Sequence, residues 1–115
     1  MPTSTQAADT RLATYGTLGP GRPNNHQLAG LEGHWLEGTV RGNLVAEGWA
    51  AELGFPALAL DPAGPPIKVS LFQSSDLPEH WSRLDAFEGA GYRRVVTAVE
   101  THQGKVDAWI YVAAG

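Results

Sequence analysis

Apolar and polar positions alternate most clearly over residues 92 to 101 and 105 to 112. Val95, Thr97 and Val99 alternate with Arg94, Val96 and Ala98, and then Val106, Ala108, Ile110 and Val112 recur at every second position. A period of two puts successive side chains on opposite faces of an extended chain, so both runs read as strands. His102-Gln103-Gly104 between them predicts a hairpin. Shorter apolar stretches at 11 to 15, 35 to 45, 55 to 60 and 66 to 73 read as further strands. The turn signal Asp61-Pro62-Ala63-Gly64-Pro65 separates the last two. Within the 35 to 45 stretch, Gly38 and Gly42 predict bulges or a close approach of backbones, and with them strong curvature.

One segment changes period. Leu77, Trp81 and Leu84 are spaced by four and three residues, which at about 100° per residue gathers them on one helical face. Asp76-Leu77-Pro78-Glu79 supplies an acidic cap, a proline in the first turn and a Glu three residues on, the arrangement of a capping box. Gly89 closes the helix. Asn24 or Asn25 could cap a second, short helix ending near Gly30. Turn-linked strands with little helix predict an antiparallel curved sheet or a small barrel.

Composition narrows the class. The chain has 115 residues, the size of one domain, and its 14 glycines and 8 prolines mark it as rich in turns. Residues 1 to 10 are small and polar with no apolar period, so they read as a disordered tail before a domain over 11 to 115. The formal net charge is −4 and the basic residues are scattered apart from Arg93-Arg94, which argues against nucleic-acid binding. With no cysteine, disulfides and thiolate chemistry are excluded. No signal-peptide pattern or membrane-length apolar run is visible, so the expectation is a soluble, cytoplasmic protein.

Two places carry candidate chemistry. Position 88 follows 77, 81 and 84 on the apolar stripe, so Glu88 falls on the face that packs against the sheet. A buried carboxyl without a countercharge is pushed toward neutrality, where it can accept and donate a proton near pH 7. The same spacing also admits a frayed last turn in which Phe87 turns inward and Glu88 is exposed or holds a backbone amide. The second place is the loop Tyr15 to Gly21, whose glycines at 16, 19 and 21 would let successive N–H groups converge on an anion. An ordinary turn fits that string too. It has neither the Gly-Lys-Ser/Thr of a phosphate loop nor the glycine order of a dinucleotide fingerprint.

Other constellations are weak. His26, His34, His80 and His102 lack the spacing of a helical metal pair, so no metal site is expected. No serine sits in a nucleophile elbow. Asp85, three residues before Glu88, reads as a rim residue. Trp35, Trp49, Trp81 and Trp109 read as core or as walls of a pocket.

Taken together, Tyr15-Gly16-Thr17-Leu18 with Pro20-Gly21, Gly48-Trp49 with Phe55-Pro56-Ala57-Leu58, Leu84-Asp85-Ala86-Phe87-Glu88-Gly89 with Tyr92-Arg93-Arg94, and Ala108-Trp109-Ile110-Tyr111-Val112 resemble the gamma-glutamylcyclotransferase-like family. That family is also called avirulence-induced-gene-2-like, and the likeness is nearest to its gamma-glutamylamine cyclotransferase type. Gly19 and Val69-Ser70 depart from the usual pattern. The resemblance implies an α+β fold, a small curved antiparallel or mixed β-barrel flanked by short helices, with substrate received by Tyr15, Gly16, Thr17 and Leu18 and Glu88 as proton acceptor. It further implies a cofactor-independent cyclisation of a γ-glutamyl amine or amide to 5-oxoproline, with release of the amine. The implied partner is this small molecule, not a nucleic acid or a membrane. Two rival readings stand beside it: a non-catalytic small-carboxylate-binding domain or accessory subunit of an amide-hydrolysing enzyme, and an interaction domain recruiting partners through an exposed edge strand or tryptophan surface.

Overall fold

A computed structural model of the chain describes residues 8–15, 28, 30–45, 57–89 and 92–113. Six strands occur in them: β1 (Arg11–Thr14), β2 (His34–Val45), β3 (Ala57–Leu60), β4 (Pro66–Gln73), β5 (Tyr92–Thr101) and β6 (Gly104–Ala113). A 3-10 turn (Leu77–Glu79) leads into α1 (Trp81–Glu88). The sheet runs β3-β2-β4-β1-β6-β5, and a pairing of Thr39 with Glu100 joins β2 to β5. Five strands thereby close into a barrel, with β3 attached to β2 outside the ring. β1 and β6 are parallel and the remaining pairs antiparallel, so the barrel is mixed, as the family resemblance implies, and not all-antiparallel as the strand pattern alone suggests.

Glycine makes the closure possible. A Cβ on Gly38 would stand 2.5 Å from Val99 Cγ1 and 3.2 Å from the Glu100 carbonyl oxygen, at the seam where β2 meets β5. Gly42 lets β3 approach in the same way, since a Cβ there would stand 2.5 Å from the Ala59 carbonyl oxygen. Both meet the expectation of close backbone approach. Because Val99 is fully buried, it has little room to yield. Gly38→Ala is therefore expected to lower stability by about 1–3 kcal/mol in a denaturant titration, through overpacking at the seam. An unchanged midpoint would mean that Val99 repacks freely.

Two apolar layers result. Ala13, Val40, Leu58, Val69, Leu71, Val99, Ala108, Ile110 and Val112 fill the barrel. Leu12, Phe72 and Tyr111, the alternate positions of β1, β4 and β6, face outward and pack with Leu77, Trp81 and Leu84. Strands buried on both faces read as continuous apolar runs rather than as clean alternation, which accounts for Ala108 to Val112.

Two expectations need correction. The capping box does not form: Asp76 makes no side-chain cap bond, its Oδ2 instead accepting the Glu32 amide at 2.9 Å, while Ser74 Oγ accepts the Asp76 amide at 3.1 Å. The 3-10 turn, closed by His80 N donating to Leu77 O at 2.8 Å, takes up the first turn, and α1 starts only at Trp81. The tail expected over residues 1 to 10 is anchored at its end. Ala8 is fully buried, and the Thr10 carbonyl accepts the Ser74 amide at 2.9 Å. Residues 1 to 7, and most of the second helix expected between Asn24 and Gly30, lie outside the described residues.

Candidate functional site

The apolar stripe read from sequence is the buried side of the helical segment: Leu77, Trp81, Leu84 and Glu88 are all buried. The last turn does not fray. Gly89 ends the helix at a φ of 82°, with its amide bonded to the Asp85 carbonyl at 3.0 Å, and a backbone in that region favours glycine. Phe87 is only partly buried, and Glu88 takes the inward place with 8% of its surface exposed. Burial opposes ionisation and raises the Glu88 carboxyl from 4.5 to about 7.

Tyr15 closes β1 and packs against the barrel core. Its hydroxyl donates to the Tyr111 carbonyl at 2.7 Å and accepts the Leu58 amide at 2.8 Å, so one oxygen ties the end of β1 to β6 and β3. Burial, the largest influence, pushes the phenol well above its usual range, and the nearby Glu88 charge adds to the rise. Tyr15 and Glu88, distant in sequence, are thus within electrostatic reach of each other. Gly16, Thr17 and Leu18 lie outside the described residues.

A second carboxyl stands one turn before Glu88. Asp85 accepts Arg94 Nε at 2.8 Å and Nη2 at 3.2 Å, a two-pronged ion pair, and its Oδ1 also accepts the Tyr111 hydroxyl at 2.7 Å. The Arg94 bond, foremost, and that from Tyr111 hold Asp85 below the usual carboxylate range. The Tyr111 phenol is pushed far up, chiefly by burial and then by its bond to Asp85, with Glu88 contributing through space. Arg94 lies over two indoles, its Cζ 4.4 Å from the Trp81 ring centre and 4.3 Å from that of Trp109. Both indoles are tied to Asp9: Trp81 Nε1 donates to its carbonyl at 3.0 Å and Trp109 Nε1 to its carboxylate at 2.7 Å.

Arg94 and Tyr111 were not candidates by composition, and Asp85 read only as a rim residue. Register alone brings the first two together, because they are directly paired across the β5–β6 hairpin. Among the described residues no three His, Asp or Glu side chains gather as metal ligands would. No helix among them is long and apolar enough to cross a membrane.

Comparison with known proteins bears on the same segments. YkqA from Bacillus subtilis superposes with a TM-score of 0.70 at 28% identity, over 90% of this chain and 35% of that one. This chain therefore spans about a third of YkqA. An AIG2-like protein from Mus musculus gives a TM-score of 0.70 at 21% identity, over 91% of this chain and 77% of that one. For an uncharacterised protein from Pyrococcus horikoshii the TM-score is 0.64 at 24% identity, over 92% and 79%. The latter two show a shared fold. No curated protein matches the chain. The family model described as gamma-glutamyl cyclotransferase, AIG2-like, matches residues 12–115. Because that match runs from the first barrel strand through the last, this chain belongs to the gamma-glutamyl cyclotransferase, AIG2-like family.

Proposed function

We propose that the protein cyclises a γ-glutamyl amine or amide to 5-oxoproline and releases the amine, with Glu88 moving the proton. The observation that carries this reading is a carboxyl buried at a helix end and titrating at about 7, beside the tyrosine that opens the Tyr15-Gly16-Thr17-Leu18 segment. Family membership supports the same reaction class.

The substrate's α-nitrogen attacks its own γ-carbonyl carbon, forming the ring C–N bond and a tetrahedral oxyanion. Glu88 takes a proton from the attacking nitrogen and returns it to the leaving nitrogen as the original C–N bond breaks. No proton or electron is gained overall, so the step balances without a co-reactant. A carboxyl at about 7 suits both transfers, because its two forms are equally populated near neutral pH. Folding the substrate for five-membered ring closure supplies proximity, and the N–H groups of Gly16, Thr17 and Leu18 are assigned its carboxylate or the developing oxyanion.

The test is incubation with a panel of γ-glutamyl amines and amides, followed by measurement of 5-oxoproline. Saturable binding without product would favour the non-catalytic reading. Since the accepting form is the carboxylate, the kcat profile should rise with pH to a midpoint near 7, losing about tenfold per pH unit below it. A midpoint at the ordinary carboxylate value of 4.5 would remove Glu88 from the role.

A further inference from the structure

The residues just before β1, where the sequence predicts the end of a loose tail, are bonded into the fold. Asp9 accepts two indole N–H groups: its backbone carbonyl takes Trp81 Nε1 at 3.0 Å and its Oδ1 takes Trp109 Nε1 at 2.7 Å. Trp81 is the first residue of α1 and Trp109 lies on β6, so a single residue ties the start of the helix to the sheet. The two rings stand 6.3 Å apart at 59°, and the Arg94 guanidinium lies over both. From there it reaches Asp85, whose own backbone carbonyl accepts the Gly89 amide that ends the helix. A helix of eight residues is only about 12 Å long, so few contacts set its tilt against the barrel. Here Trp81 and Asp85 are two of them, and Glu88 shares the buried face of Trp81 and Leu84.

We propose that Asp9 is a positioning residue for the helix that ends at Glu88: by holding both indoles it fixes the aromatic surface on which Arg94 and α1 are seated. Its action is mechanical and passes through bonded neighbours, from the indoles to the start of α1 and, by way of Arg94, to its last turns. No charge needs to travel. The effect on the reaction should fall on kcat rather than KM, because Tyr15 and the assigned substrate contacts lie at the far end of β1. The near end is held separately, by the Ser74 amide on the Thr10 carbonyl at 2.9 Å. The inference deepens the reading of Glu88 as the proton carrier and rests on it.

The experiment is a carbon-13 NMR titration of the Glu88 side-chain carboxyl in the full chain, which needs no substrate. In Asp9→Ala, and in Trp109→Phe, which removes one N–H and no charge, the midpoint should fall from about 7 by about 0.5 or more, as a loosened helix admits water to the carboxyl. Asp9→Asn keeps an acceptor for Trp109 and should hold the native midpoint. Combining Asp9→Ala with Trp109→Phe should lower it no further than either alone, since both break one bond. Tyr15 at the end of β1, Tyr111 on β6 and Asp85 on α1 are unaltered in all of these, so the Glu88 charge meets the same titratable neighbours among the described residues. A midpoint unmoved in Trp109→Phe overturns the proposal, and that variant serves if Asp9→Ala does not fold. An equal fall in Asp9→Asn overturns it too, because Asp9 would then act by charge, and so do falls that add in the double variant, because the two residues would act separately. In a 5-oxoproline assay Asp9→Ala should lower kcat with KM near its native value, and a change confined to KM counts against the proposal. Absence of 5-oxoproline from the native protein would instead defeat the proposed reaction, while the titration would still decide whether Asp9 seats the helix.

Discussion

Glu88→Gln is expected to abolish most turnover and, above pH 7, to make the protein more stable. The amide keeps the size of the side chain but can neither take up nor return a proton, and loss of a positioned acid/base lowers turnover by about 10²–10⁴-fold. KM should change little, since the assigned substrate contacts are the amides after Tyr15. The stability effect follows from the raised carboxyl, which titrates at about 7 in the fold against 4.5 unfolded. Between those values the native state binds the extra proton, so stability falls as pH rises through this window and levels off above it. The gap corresponds to about 3 kcal/mol at most, so the glutamine variant should gain about 1–3 kcal/mol at pH 8 and nothing at pH 4. Paired denaturant titrations at the two pH values, alongside a 5-oxoproline assay, measure both. Activity lost with stability gained is the mark of a group held in an unfavourable environment for its chemistry. Equal stability at both pH values would mean that Glu88 is not desolvated.

Much of this site was legible because helical spacing transmits burial directly. Once Leu77, Trp81 and Leu84 define a face, position 88 must share it, and Gly89 decides that the helix lasts long enough to carry Glu88 there. Strand positions were legible for the same reason, with β4 falling at Pro66–Gln73 as read. The capping box failed because two competing bonds engage its groups, the Glu32 amide on the Asp76 carboxylate and the Asp76 amide on Ser74 Oγ, and local sequence does not reveal that Glu32 would come to Asp76. Asp85 was missed because its importance lies in what crosses to it from β5 and β6. That partnership was nonetheless encoded: a hairpin pairing Thr101 with Gly104 fixes every other pair, Arg94 with Tyr111 among them. What no periodicity carries is the placement of Asp9 against two tryptophans 72 and 100 residues away, since long-range contact depends on how the barrel closes.

Tyr15→Phe should cost about 2–4 kcal/mol and raise KM more than it lowers kcat. The ring would remain in the core, but the oxygen that joins three strands would be gone. β3 lies outside the closed ring and among the described residues pairs along its length only with β2, and the phenol supplies the acceptor for its Leu58 amide. Leu58 and Tyr111 are both buried, so removing the hydroxyl strands an N–H and a carbonyl away from water, at about 1–3 kcal/mol each. Because burial holds the phenol protonated well past its usual range, this loss should be the same from pH 6 to pH 9, unlike that at Glu88. The functional effect follows from position: Gly16, Thr17 and Leu18 begin where the brace ends, so a loosened Tyr15 weakens the hold on substrate before it disturbs Glu88. Hydrogen exchange at the Leu58 amide reads the brace directly, with faster exchange expected in the phenylalanine variant. If exchange and KM both stay at their native values, the hydroxyl does not hold the two strands, and the loop takes its place by other means.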